Sequence, residues 1–266
     1  LVMKKNQREF TISSLTEYVQ LMESFSDLNA LWFRGVSNHT FKPLPGIIWR
    51  KLRDDESTLE HRFLVSYKSY LDGLSLNEWE IYTLMQHHGL PTRMLDWSES
   101  ALVALYFALS SDLESEHLGA VWCISPYELN EITIGTNRVY CPAELRAKNV
   151  GRVNIDDYLP PNLKSQNSNM PKKPIAINAN QSNKRVSSQK GCFTVHGSDN
   201  DSIDIIMNNS SSFRLININI KGRDEKLQML SNLSKLGIDE EFIYQDLDSL
   251  CNRIKREFGF HPSKTK

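Results

Sequence analysis

Residues Leu84 to Leu109 read LMQHHGLPTRMLDWSESALVALYFAL, and within 26 residues they hold a helix end, a proline turn, an arginine near an aspartate and a wholly apolar helix. The helix entering this stretch starts at Asn77, whose side chain can accept a first-turn amide hydrogen while Glu80 completes a capping box. It ends at Gly89. Ile81, Leu84, Met85 and His88 recur at helical spacing, which predicts a packed His88 ring and leaves Gln86 and His87 off the apolar stripe. Pro91 forbids helix and favours an extended Leu90, so Thr92 to Trp97 is expected to be a short strand or turn. Asp96, with Glu99 three residues on, reads as the cap of the next helix. Ala101 to Leu109 is apolar on every side, as a helix enclosed within a domain would be. Arg93 and Asp96 are then expected at its N-terminal mouth, where free amides welcome an anion.

Toward the N-terminus, residues 13 to 28 predict an amphipathic helix with a serine cap, placing Leu15, Tyr18, Val19, Met22 and Phe25 on one side. Leu31 to Gly35 predicts a strand ending on Arg34, whose forked guanidinium suits phosphate or carboxylate, followed by a glycine that allows close approach. The plain alternative for Arg34 is a surface ion pair. Residues 41 to 50 form a proline-rich loop. Residues 54 to 71 form a scaffold helix with Leu59, Phe63 and Tyr67 on one face, and its acids Asp54, Asp55, Glu56 and Glu60 read as a solvated start.

Toward the C-terminus, Ala120 to Ile124 predicts a buried strand ended by Ser125-Pro126, and residues 127 to 150 show only a short helical piece near Ala143 to Lys148. Leu159 to Met170 reads as a long loop or a flap. Ile175 to Ile177 is a strand. A polar, basic loop from Asn183 to Gly191 leads into a strand from Cys192, presenting Gln189 at its lip. Phe213 to Ile220 alternates as a half-exposed strand. Two helices follow: Asp224 to Leu236, carrying Leu227, Leu230 and Leu233 and closed by Gly237, and Asp246 to Phe258.

The 266 residues are 40% hydrophobic and 24% charged with a formal charge of −1, an ordinary globular composition that argues against a broad nucleic-acid-binding surface. Four scattered cysteines form no C-x-x-C pair, so reduced thiols are expected. No apolar run reaches the roughly 18 to 20 residues of a membrane span, and the first ten residues lack a signal-peptide core. A cytoplasmic protein without membrane contact is the expectation. Gly-rich phosphate loops, the G-x-S-x-G elbow and the H-E-x-x-H metal motif are all missing from the sequence, and His87 and His88 point about 100 degrees apart on a helix, so no metal site is expected.

The motifs together resemble the FRG-domain family. Phe33-Arg34-Gly35 carries the name, followed by Gln86-His87-x-Gly89-x-Pro91-Thr92-Arg93-x-Leu95-Asp96-Trp97, then Ala104-Leu105-Tyr106-Phe107-Ala108, then Arg185-Val186-x-x-Gln189-x-Gly191-x-Phe193-Thr194. Where the family often has tyrosine after its histidine, this chain has His88, and residues 155 to 170 have no counterpart. The resemblance implies a bacterial protein of an anti-phage or toxin-type system, with a neutralising antitoxin or defence-system partner. More distantly, the order of parts resembles the ADP-ribosyltransferase fold. It implies a single α+β domain with a mixed, mainly antiparallel sheet flanked by helices: an N-terminal helical segment (1–29), the FRG-like domain (30–222) and a C-terminal helical appendage (223–266).

That likeness implies an NAD-dependent transferase or glycohydrolase acting on an unknown protein or nucleic-acid acceptor. NAD, as substrate, would meet Arg34, Gly35, Thr92, Arg93 and Ser98, with Arg34 and Arg93 on the pyrophosphate, while Gln189, His87 and Asp96 perform catalysis. Gln189 stands where such enzymes carry a glutamate or glutamine. Being uncharged, it cannot stabilise a cationic ribose, which leaves that task to Asp96 or to positioning alone. Two other readings compete. One is a non-catalytic nucleotide- or protein-binding module using the same cleft. The other makes Arg34, Arg93 and Asp96 a buried ionic network that fixes the fold.

Overall fold

The computed structural model describes residues 8–25, 30–71, 73, 75–143, 149–150, 153–164, 169–179 and 184–258. Its strands are β1 (Glu9–Ile12), β2 (Trp32–Val36), β3 (Met94–Ser98), β4 (Gly119–Ile124), β5 (Asn149–Val150), β6 (Val153–Asn154), β7 (Ile175–Asn178), β8 (Gly191–Val195) and β9 (Arg214–Ile218). Seven of them form one sheet in the order β1-β9-β4-β2-β3-β8-β7, while β5 and β6 pair separately. Only the β1–β9 edge pair in that sheet is parallel, so the domain is α+β with a mixed, mainly antiparallel sheet. The helices are α1 (Leu15–Glu23), α2 (Gly46–Trp49), α3 (Glu56–Ser66), α4 (Glu78–His87), α5 (Ala101–Ser110), α6 (Pro126–Ile134), α7 (Lys184–Ser188), α8 (Ile203–Ile206), α9 (Arg223–Lys235), α10 (Glu240–Tyr244) and α11 (Leu247–Glu257).

Strand alternation sorts the core. Phe33, Val121, Cys123, Ile216 and Ile218 face α5, which supplies Val103, Ala104, Leu105, Ala108 and Leu109; α1, α9 and α10 close over it. Trp32, Trp97, Trp122 and Ile124 point the other way, onto Leu129, Ile203, Met207 and Phe213. A separate cluster joins Met94, Ile175, Ile177, Phe193 and Val195 to Trp79, Ile81, Tyr82 and Met85 of α4. The central strand β4 is paired on both edges and covered on both faces, so all six of its residues are buried.

Several expectations hold at the level of single hydrogen bonds. Asn77 and Glu80 form the capping box of α4, Ser14 caps α1, and Gly89 takes a left-handed φ of 79° where that helix must stop. Others are corrected. Asp96 lies inside β3 and caps nothing; α5 begins later, with Ser100 accepting from the Val103 amide, so no helix mouth lies at Arg93. His88 is exposed, because α4 ends before the apolar stripe reaches it. Val19 and Leu227 are exposed, while Leu21 and Met229 take the buried positions. Glu56 and Glu60 are buried rather than solvated.

Residues 9–12 add a strand ahead of the first helix, residues 126–134 form a helix after Ser125, and residues 184–188 are helical rather than loop. In the stretch read as a long loop or a flap, Leu159 and Leu163 are buried, so this part is packed. The helical piece at 144–148, residues 165–168 and Asn183 lie outside the described residues. No helix among the described residues is long and apolar enough to cross a membrane.

Candidate functional site

The sheet parts along one seam. Its longer ladders run for four or five residue pairs, but β2 and β3 share a single register pair, Phe33 with Ser98. Beyond it the Asp96 carbonyl has no β2 amide opposite, and Arg34 Nη1 donates to it at 2.7 Å, bridging the gap. Gly35 stays close to α5 on the far side of β2: a Cβ there would overlap the carbonyl oxygen of Ala104, so no larger residue fits without moving the helix. Phe-Arg-Gly is thus a packing aromatic, a seam-bridging guanidinium and a helix contact in succession.

A cavity of about 250 Å³ opens at this seam, lined among others by Arg34, Gln86, His87, Asp96, Arg185 and Gln189. Asp96 is oriented by a relay. The Met94 amide donates to Thr92 Oγ1, Thr92 Oγ1 donates to Gln86 Oε1, and Gln86 Nε2 donates to Asp96 Oδ2 at 2.6 Å. Oδ1 has no hydrogen-bond partner among the described residues. The relay gives Gln86, Thr92 and Asp96 a shared structural role: α4 and β3 each supply an end, and the Pro91 turn brings them together.

Two guanidinium groups face this carboxylate side of the cavity. Arg34 is held below the usual arginine range by burial, with Asp96 opposing the shift, and its Nε is buried without an acceptor among the described residues. Arg185 stacks on the Tyr244 ring at 4.6 Å, so α10 positions a residue of α7. His87 is pushed down by burial, then by the charges of Arg185 and His88, with Asp96 acting the other way. At neutral pH it is an uncharged hydrogen-bonding ring. Gln189 Nε2 donates to the Ile243 carbonyl at 3.0 Å, leaving Oε1 as its acceptor.

Of the residues expected at the site, Arg34, Gly35, His87, Asp96, Ser98 and Gln189 line the cavity, and Thr92 and Arg93 do not. Ser98 is committed: its hydroxyl donates to the Gln189 carbonyl at 2.6 Å and accepts from the Ser100 amide. Thr92 is buried and acts through Gln86. Arg93 is fully buried elsewhere. Its Nε bonds both oxygens of Glu56 at 2.8 and 2.9 Å, and its two Nη groups donate to the carbonyls of His196 and Tyr158, both at 2.6 Å. Burial alone would lower Arg93, but Tyr82 and Glu56 outweigh it and leave it raised. With its donors engaged it cannot grip a pyrophosphate. The ionic-network reading therefore holds for Arg93, with Glu56 rather than Asp96 as partner.

Gln86 and Arg185 also line the cavity, although the sequence alone does not single them out; the available signal is their position beside the expected site residues, Gln86 next to His87 and Arg185 four positions before Gln189. Among the described residues no group of three histidine, cysteine or acidic side chains is arranged to hold a metal ion. Searches of the curated proteins and of the solved structures return no match. The family model of the FRG domain matches residues 29–117, a span that contains β2, α4, β3 and α5 and with them the seam, the relay and Arg34. Over that span the chain is similar to the FRG domain.

Proposed function

We propose that the seam cavity takes the nicotinamide riboside end of NAD and that the protein is an NAD-consuming enzyme, an ADP-ribosyltransferase or NAD glycohydrolase of a bacterial anti-phage or toxin-type system. The reading rests on one observation above others: a carboxylate, Asp96, fixed by a relay and left with one open oxygen, faces a cavity that also holds Arg34, Arg185, His87 and Gln189. Small-molecule pockets commonly run from roughly 300 to 1,000 Å³. At about 250 Å³ the cavity suits one nucleoside-sized half of a dinucleotide, with the remainder outside it.

Loss of nicotinamide from NAD leaves positive charge on the ribose ring. Asp96 is the group that would meet that charge, and a carboxylate already fixed by its hydrogen bond from Gln86 needs little reorganisation to do so. Arg185 and Arg34 supply the cationic side for phosphate, and forked guanidinium groups suit it. Neutral His87 and Gln189 Oε1 would hold ribose hydroxyls. Gln189 orients and does not stabilise charge, which answers the difficulty of a glutamine at the late position.

The same site supports a second reading. Gln189 has its amide tied to Ile243 and Ser98 its hydroxyl tied to Gln189, so two polar groups serve the architecture, as they would in a module that binds a nucleotide without turning it over. Incubating purified protein with NAD and following nicotinamide by chromatography separates the two. Release by the wild type, lost in a folded Arg34→Ala variant, is the expected result. NAD binding with no nicotinamide released leaves the binding module, and no binding at all ends both readings.

A further inference from the structure

Helix α11 is turned inside out. At 100 degrees per residue, Ser249, Asn252, Arg253 and Arg256 share one face. That face is packed on the body: Ser249 is buried, Asn252 and Arg256 bond Glu240, and Arg253 bonds Glu241, all on α10. The opposite face carries Leu247, Leu250, Cys251 and Ile254, continued by Phe258 at the cap. Leu247 is 77% exposed, Ile254 41% and Phe258 75%, and Cys251 is exposed as well. An amphipathic helix that offers its polar side to its own domain and its apolar side to water is built for an interface.

From this we infer that α11 pairs antiparallel with α11 of a second copy of the chain, about a two-fold axis crossing the stripe between Cys251 and Ile254. Three features of the helix are self-complementary under that operation. Centring the axis on the stripe sets Leu247 against the second copy's Phe258 and Cys251 against its Ile254. Asp248 and Lys255, both exposed, lie on the same flank seven residues apart, so the rotation brings each Asp248 within about 3 Å along the axis of the other copy's Lys255. At the level of Leu247 an open groove lined by Phe242, Gln245, Leu247 and Leu250 stands ready to receive the opposing Phe258. One helix face is smaller than the roughly 800 Å² per partner of a standard interface, so the pairing is concentration-dependent.

Sedimentation velocity over a concentration series, joined to oxidative cross-linking, tests the arrangement. The wild type is expected to dimerise, and Ile254→Asp to weaken the dimer by at least about tenfold while keeping its circular dichroism, since the replaced side chain is exposed. In the proposed register each Cys251 lies about 4.5 Å along the axis from its mate, whereas position 247 lies about 16 Å from its own. Cys251 should therefore cross-link under mild oxidant, and Leu247→Cys in a Cys251→Ser background should not. A monomer at every concentration, a dimer indifferent to Ile254→Asp, or a Leu247→Cys cross-link as fast as that of Cys251 would overturn the inference. None of these outcomes touches the seam cavity, so it stands or falls apart from the proposed activity.

Discussion

Replacing Arg93 with methionine separates an arginine that holds the fold from one that holds a ligand. The side chain is fully buried and makes four hydrogen bonds, two to the Glu56 carboxylate and one each to the carbonyls of His196 and Tyr158. Methionine fills much of the volume but satisfies none of these groups. Breaking a buried ion pair by removing one partner costs about 3 to 5 kcal/mol, chiefly because the surviving charge is left in a low-dielectric site. Against a total stability of roughly 5 to 15 kcal/mol, that is a large share. Urea unfolding followed by circular dichroism should show the midpoint falling by the equivalent amount. Adding Glu56→Met should restore part of the loss, since the stranded carboxylate goes with it. In the fraction that remains folded, NAD affinity should be unchanged, because Arg93 is not in the cavity wall. A loss under about 1 kcal/mol together with abolished NAD binding would refute this assignment and return Arg93 to the ligand.

Gly35→Ala should destabilise the domain by about 1 to 3 kcal/mol or more, since the added methyl meets the backbone of α5 rather than a movable side chain; a thermal melt within error of the wild type would contradict the close packing. His196 is held from its ordinary 6.5 down to about 4, by burial first. The unfolded chain thus takes up its proton earlier, and stability, full above pH 6.5, falls by roughly 3 kcal/mol as the pH drops through that window to 4. Urea titrations at successive pH values should show this slope flattened in His196→Gln. Arg34→Lys removes the Nη1 hydrogen bond to the Asp96 carbonyl together with the planar guanidinium and should weaken ligand binding about tenfold or more by calorimetry, with little change if the bridge is only decorative.

The fold was most legible where local chemistry decides it. Asn77 with Glu80, Ser14 and Gly89 announce helix ends through groups only a few residues away, and each is found as expected. Misreadings arose where two local answers compete. Asp96-x-x-Glu99 and Ser98-Glu99-Ser100 both resemble helix starts, and the ladder with β8, running from Met94 to Ser98, favours the later one. His88 continues a helical stripe in sequence, but α4 has already closed. Partner choice was the least legible. Nothing near Arg93 reveals that Glu56, 37 residues earlier, will neutralise it, nor that Arg34 will meet a carbonyl 62 residues later. The motif marks Thr92, Arg93 and Asp96 without separating them; the strand's geometry sets Thr92 in the relay to Gln86, Arg93 in the buried pair with Glu56 and Asp96 at the cavity.

The account stands on Asp96 as the fixed anion of the cavity, and Asp96→Asn tests it with the least disturbance, since an asparagine oxygen can still accept from Gln86. NAD affinity and nicotinamide release are measured together on the wild type and the variant. The account predicts affinity within a few-fold of the wild type and release slower by about a hundredfold or more. Equal release by the two proteins, or loss of binding with no release from either, would contradict it.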